Sequence, residues 1–187
     1  MLDKKIIIFM PSIEGGGVEK NLFEICNFLS TKYKKVNLIT VSNQYKNYFS
    51  KKIRLHGPKK FTFNSNRIIK YIICSIYLFF ELIKERSSKR VIFSFQGNIF
   101  AIIIAKIFNC KIVVRANSAP SGWVKNEFKK KIFKIMYNYS DKIIVNSNDF
   151  KNEFKKFFGA NAVCIYNPLN KKKIIKLSKK KTIFFKK

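Results

Sequence analysis

Acidic residues are scarce: 10 Asp and Glu stand against 39 Lys and Arg, leaving a formal charge of +29 on 187 residues. Such a chain attracts polyanions, whether nucleic acid, anionic lipid or phosphorylated small molecules, without choosing among them. No pair of carboxylates is visible for general acid–base work. Histidine is all but missing. His56, in "RLHGP", has no acid or cysteine beside it in sequence, so no Ser/His/Asp set and no histidine-based metal cluster can be assembled, and it reads as a loop histidine without a catalytic role. The four cysteines, Cys26, Cys74, Cys110 and Cys164, are far apart and form no Cys-x-x-Cys pair. They read as reduced core thiols of a cytosolic protein, and no metal site is expected. Met1 to Met10 lacks the apolar length and the small-residue cleavage site of a signal peptide. The longest apolar run, Ile68 to Ile83, is interrupted by Lys70 and Glu81 and falls short of the roughly 20 residues of a membrane span. It reads as a buried helix, with a membrane-surface helix as the alternative.

What is present is apolar material for one core. Hydrophobic residues make up 47 %, including twenty Phe, so the chain folds despite its charge, and its length suits a single domain. Lysine is scattered among Ile, Asn and Phe, a pattern that AT-rich codon usage also produces. Short β-branched runs predict strands at 4–10, 36–41, 53–55, 90–95, 111–116, 141–147 and 162–166. Between them, apolar residues at spacings of three and four predict helices at 18–31, 66–86, 98–108, 126–139 and 149–158, the last closed by Gly159. Strands that are nearly continuous in apolar residues and alternate with helices call for a Rossmann-like, doubly wound parallel sheet. Residues 1–170 form that domain, and the lysine-rich segment 171–187 reads as a linker or tail.

Ligands of such sheets bind at the carboxyl ends of the strands. Gly15, Gly16 and Gly17 fall there, between the first strand and the first helix. "EGGGVEK" is neither a P-loop nor a Gly-x-Gly-x-x-Gly fingerprint, and the second strand ends in Ser42 and Asn43 rather than an acid, which disfavours a nicotinamide cofactor. What remains is a run of amides at the positive end of a helix, suited to a phosphate or diphosphate, or a tight turn with no ligand. "VVRANSAP" ends another strand with Arg115, Asn117 and Ser118. The guanidinium suits a phosphate or carboxylate and the amide a hydroxylated ligand; loop capping is the competing role. Pro120 keeps a helix from starting early. Ser94, Gln96 and Asn98, in "SFQGN", and Ser147 complete the strand-end polar set, with helix capping the expected job of Ser147 or Asn148.

The ordered set "IIIFMPSIEGGGVEKNLFEICNFLS", "VIFSFQGNIFAIIIAKIFNCKIVVRANSAP", "SDKIIVNSNDFKNEFKKFFG" and "VCIYNPLN" resembles the amino-terminal half of a family 4 glycosyltransferase of the GT-B fold. The resemblance implies a second Rossmann-like domain facing this one across a cleft, and transfer with retention from a nucleotide-sugar donor. It implies that Gly15, Gly16 and Gly17 approach the donor diphosphate, that Arg115, Asn117 and Ser118 border the sugar or acceptor, and that "YNPLN" is the hinge. No cofactor or metal is implied; the nucleotide sugar is a substrate. The acidic Glu-x7-Glu-type motif of the carboxyl-terminal domain has no counterpart in the sequence, so little activity is expected of the chain alone.

The implied partners are a glycan or lipid-linked acceptor in cell-surface polysaccharide or lipopolysaccharide assembly, a carboxyl-terminal donor-binding domain, and an anionic inner membrane surface. The basic stretch "NEFKKKIFKIMYNYS" would rest on that surface, or would simply be an amphipathic helix with a solvated face. Two other classes compete: a non-catalytic subunit that binds an anionic ligand, and a basic nucleic-acid-binding protein. The second lacks any recognisable signature, and nucleic acid is not expected as a partner.

Overall fold

The computed structural model describes residues 1–59, 66–84 and 89–169, together with residues 175 and 178. Among the described residues, seven parallel strands form one sheet. In chain order they are β1 (Leu2–Phe9), β2 (Tyr33–Ile39), β3 (Ile53–His56), β4 (Arg90–Ser94), β5 (Lys111–Ala116), β6 (Lys142–Val145) and β7 (Ala162–Cys164), and in space they run β3-β2-β1-β4-β5-β6-β7. The order reverses between β1 and β4. Parallel strands need crossovers, and α1 (Gly17–Lys32), α2 (Arg67–Lys84), α3 (Asn98–Ile107), α4 (Glu127–Asn138) and α5 (Asn148–Phe158) supply them.

Alternation along β1 divides the core. Ile7 and Phe9 enter the layer under α2, α3, α4 and α5, whereas Ile6 and Ile8 enter the layer under α1. The first layer is closed by aromatic contacts, among them Phe154 against Phe158 at 5.3 Å and Tyr137 against Phe154 at 5.0 Å. Cys26, Cys74 and Cys110 are buried free thiols and Cys164 is half-buried. Burial pushes the Cys74 thiol up to about 12, so it stays protonated.

The elements differ from the sequence reading in three places. A 3₁₀ turn at Asn43–Tyr48 was not foreseen; it seats Phe49 against Phe23, ring centroids 5.1 Å apart, and has no apolar period of its own. Pro120 does not merely delay a helix but heads a second 3₁₀ turn, Pro120–Gly122. The third difference is the burial of α2. Its inward face is Lys70, Cys74, Leu78, Glu81 and Leu82, so the two charged residues that interrupt the run point into the protein. Ile68, Ile69, Ile72, Ile76, Phe79, Phe80 and Ile83 point out. A buried helix is therefore not what the run makes. The inward charges are matched: Lys5 Nζ lies 2.7 Å from Glu81 Oε1, Asn37 Nδ2 donates to the same oxygen at 2.6 Å, and His56 Nδ1 is 3.5 Å from Glu81 Oε2, while Lys70 Nζ donates to Ser12 Oγ at 3.2 Å and lies 3.5 Å from Glu14 Oε1. The tail 171–187 lies almost wholly outside the described residues.

Candidate ligand cleft

A cleft of about 580 Å³ opens over the carboxyl ends of β1, β4 and β5, at the point where the strand order reverses. One wall is the segment after β1. Ser12 N donates to Gln96 Oε1 at 3.1 Å and Ile13 N to Ser42 Oγ at 2.9 Å, so this segment is tied to its neighbours on both sides. Gly15 follows at φ +87°, a left-handed conformation that costs an L side chain about 1–2 kcal/mol. Gly16 is the N-cap of α1 and Gly17 its first residue, with no atom within 4 Å of where a Cβ would lie. The glycines are exposed at the rim; Glu14, Val18 and Glu19, on either side, line the cleft itself.

The positive end of α1 is held by the chain's own acid. Glu19 Oε1 accepts from Glu14 N at 3.3 Å, and Glu19 Oε2 lies 2.9 Å from the Cβ position of Gly16. Glu14 in turn accepts from the Ser12 hydroxyl at 2.9 Å and faces Lys70 at 3.5 Å and Arg67 at 3.8 Å. The Ser12 hydrogen bond, with help from both cations and against some desolvation, holds the Glu14 carboxyl below its ordinary value.

The opposite wall comes from β4 and β5. Gly97 sits at φ +66°, and a Cβ there would come within 3.3 Å of the Phe9 ring, so the turn into α3 depends on glycine. Asn98 binds the two strand ends together: its Oδ1 accepts from Ser94 Oγ at 2.7 Å and its Nδ2 donates to Arg115 O at 3.1 Å. Asn117 Nδ2 donates to Phe95 O at 2.9 Å. Ser118 is exposed on the cleft wall.

Arg115 is the most buried of the charges that line the cleft. Its side chain is 2 % exposed, Nη2 donates to Asn167 Oδ1 at 2.7 Å, and Nε is buried without a partner. No carboxylate pairs with it among the described residues. Burial lowers its affinity for the proton, but a guanidinium stays charged. A buried cation facing a cleft with a free donor is costly until an anion or a hydroxylated ligand meets it.

The structure thus brings Gln96, Asn98, Arg115, Asn117 and Ser118 to one cleft with the flanks of the glycine loop. Ser94 and Ser147 lie elsewhere. Ser94 is fully buried beneath the turn and serves it, and Ser147 Oγ caps α5 by accepting from Phe150 N at 3.1 Å. Sequence reasoning missed the aromatic wall. Trp123 packs edge-on to Phe133 at 4.5 Å, Phe133 lies 6.0 Å from Tyr137, and Tyr71 meets Phe100 at 5.6 Å. These residues line the cleft from α2, α3, α4 and the turn before α4. It also missed the Glu14–Glu19 pair, although "EGGGVE" shows both acids flanking the glycines.

A doubly wound sheet with a polar and aromatic cleft at its switch point, holding a buried guanidinium, has the chemistry suited to an anionic or hydroxylated small molecule. The sequence profile of Glycosyltransferase Family 4 matches residues 15–173, and the chain belongs to that family. No curated protein matches the sequence significantly. Among solved structures, the fold is similar to HepE of Anabaena in complex with UDP and glucose, with TM-score 0.64 at 12 % identity, covering 89 % of this chain and 45 % of that one. It is also similar to a transferase from Siraitia grosvenorii in complex with UDP, with TM-score 0.55 at 12 % identity, covering 86 % and 50 %. A third is Phytolacca americana apo UGT2, with TM-score 0.59 at 9 % identity, covering 95 % and 55 %. The fold is that of a GT-B amino-terminal domain, and the chain spans about half the length of these structures.

Proposed function

We propose that this chain forms the acceptor-side half of a retaining hexosyltransferase that moves a sugar from a nucleotide-sugar donor to a glycan or lipid-linked acceptor in surface-polysaccharide or lipopolysaccharide assembly, at the cytoplasmic face of the membrane. The observation that carries the reading is Arg115, a buried guanidinium with an unpartnered Nε, in a cleft lined also by amides, hydroxyls, aromatic rings and the charges of Arg67, Glu14 and Glu19. Such a lining fits a phosphorylated carbohydrate: the cation answers the anion, the amides answer hydroxyls, and rings such as Trp123 and Phe133 answer the apolar faces of sugar or base. Complexes with UDP and UDP-glucose among the similar structures support a nucleotide sugar as the ligand.

In this reading the donor diphosphate reaches the open side of Gly17 and displaces the Glu19 carboxylate from beside Gly16, while Arg115, Asn117 and Ser118 border the sugar and acceptor. A leaving diphosphate needs charge stabilisation in a closed cleft, so transfer requires the facing carboxyl-terminal half, on the same or a separate polypeptide. The test is sugar transfer by the chain paired with a family carboxyl-terminal domain. Transfer that Gly16→Asp abolishes supports the reading; nucleotide-sugar binding without transfer by the pair favours a non-catalytic ligand-binding subunit.

A further inference from the structure

The outward face of α2 is the least expected surface on the molecule. Between Arg67 and Lys84 it carries Ile68, Ile69, Ile72, Ile76, Phe79, Phe80 and Ile83 and no charge, because Lys70 and Glu81 are turned inward. Ile103 and Ile107 of α3 continue it, and an apolar groove of about 470 Å³ runs between the two helices. Soluble surfaces rarely expose so continuous an apolar strip without a use for it. Beside it, α4 exposes Phe128, Ile132 and Ile135 among Lys129, Lys131 and Lys134. Its one acid, Glu127, is paired with Lys130 at 3.2 Å.

We propose that the outward faces of α2 and α3, with the basic face of α4 beside them, dock on an anionic lipid bilayer. Charge complementarity selects that occupant. A second copy would bring another +29 against the first, and a nucleic-acid backbone has nothing to offer a strip of isoleucine and phenylalanine. A bilayer offers both, an acyl boundary for the strip and phosphates for Arg67, Lys84, Lys106 and the α4 lysines. No helix among the described residues is long and apolar enough to cross a membrane, and α2 keeps its other face on the sheet, so it would lie in the plane of the surface.

The geometry has a consequence for the acceptor. Phe100 lines both the apolar groove and the ligand cleft, and Tyr71 against it forms the partition between them. A docked face would therefore hold the cleft one side chain away from the lipid, where a membrane-embedded acceptor could enter it. This step deepens the membrane placement proposed above and rests on it.

The test is co-sedimentation of the full chain with vesicles of phosphatidylcholine alone or mixed with phosphatidylglycerol. The expected result is binding to the mixed vesicles, weakened at least about tenfold by Ile76→Glu/Phe80→Glu, with an unchanged melting temperature because both side chains are exposed in the folded chain. Lys129→Ala/Lys131→Ala/Lys134→Ala should weaken binding and reduce its salt sensitivity. The proposal is overturned by absence of sedimentation, by undiminished binding of the glutamate variant, or by a soluble dimer that the same variant splits. None of these outcomes bears on sugar transfer by the paired domains, so the two proposals fail separately.

Discussion

Arg115 Nη2 donates to Asn167 Oδ1 at 2.7 Å, joining the end of β5 to the segment that leaves the sheet after β7. The bond places the most buried charge of the cleft beside the segment that follows β7. In the proposed reading, one guanidinium would link the ligand to the segment leading toward the carboxyl-terminal half.

The three glycines are not equivalent. Gly15 needs its positive φ, so Gly15→Ala should lower stability by about 1–2 kcal/mol, read as a fall in melting temperature. Gly17 is the first helical residue with open space around it, so Gly17→Ala should leave stability equal or slightly higher.

Gly16 has an ordinary φ of −84° at an N-cap position, where aspartate is a favoured residue. A Cβ there would lie 2.9 Å from Glu19 Oε2, so Gly16→Asp should displace Glu19 and lower the melting temperature slightly, while weakening nucleotide-sugar binding far more by charge repulsion. Glu19→Gln keeps an acceptor for Glu14 N and removes the competing charge, so it should strengthen that binding several-fold, measured by calorimetry.

Ser147→Ala removes an N-cap and should cost about 1 kcal/mol. Because Ser147 is not on the cleft wall, nucleotide-sugar affinity should not change in the same variant. A loss of affinity with no loss of stability would return it to the site.

Acid should destabilise the fold through His56 and Glu81. Burial holds the His56 pKa below its ordinary 6.5, outweighing the attraction of Glu81. The unfolded chain therefore takes up the proton first, and stability falls as pH drops below about 6.5. Burial alone would raise the Glu81 carboxyl, but the Lys5 hydrogen bond and charge, with His56 and Asn37, hold it below its ordinary 4.5. Its contribution is present above that value and lost on further acidification. Urea melts across this range should show a shallower slope for His56→Phe between neutral pH and the carboxylate range.

The succession of strands and helices was legible because each strand is a short β-branched run and each helix carries its own apolar period. The sidedness of α2 was not. A run of isoleucine and phenylalanine broken by Lys70 and Glu81 suggests apolar residues in and charges out; Lys5, Asn37 and His56 around Glu81, with Ser12 and Glu14 around Lys70, make the reverse stable. The cleft was legible in part. Arg115, Asn117 and the glycines stand at strand ends in the sequence, whereas the partner of Arg115 is 52 residues away and the aromatic wall draws on four separate segments.

The most direct measurement is calorimetric titration of UDP-glucose into the chain paired with a family carboxyl-terminal domain, and into the same pair carrying Arg115→Gln. The account predicts binding to the wild type, weakened at least about tenfold in the variant, as expected for loss of a charge-assisted hydrogen bond. The variant should melt no lower, since it removes a buried cation that no carboxylate balances. Equal affinity in the two proteins, or no binding to either, would contradict the assignment of the cleft.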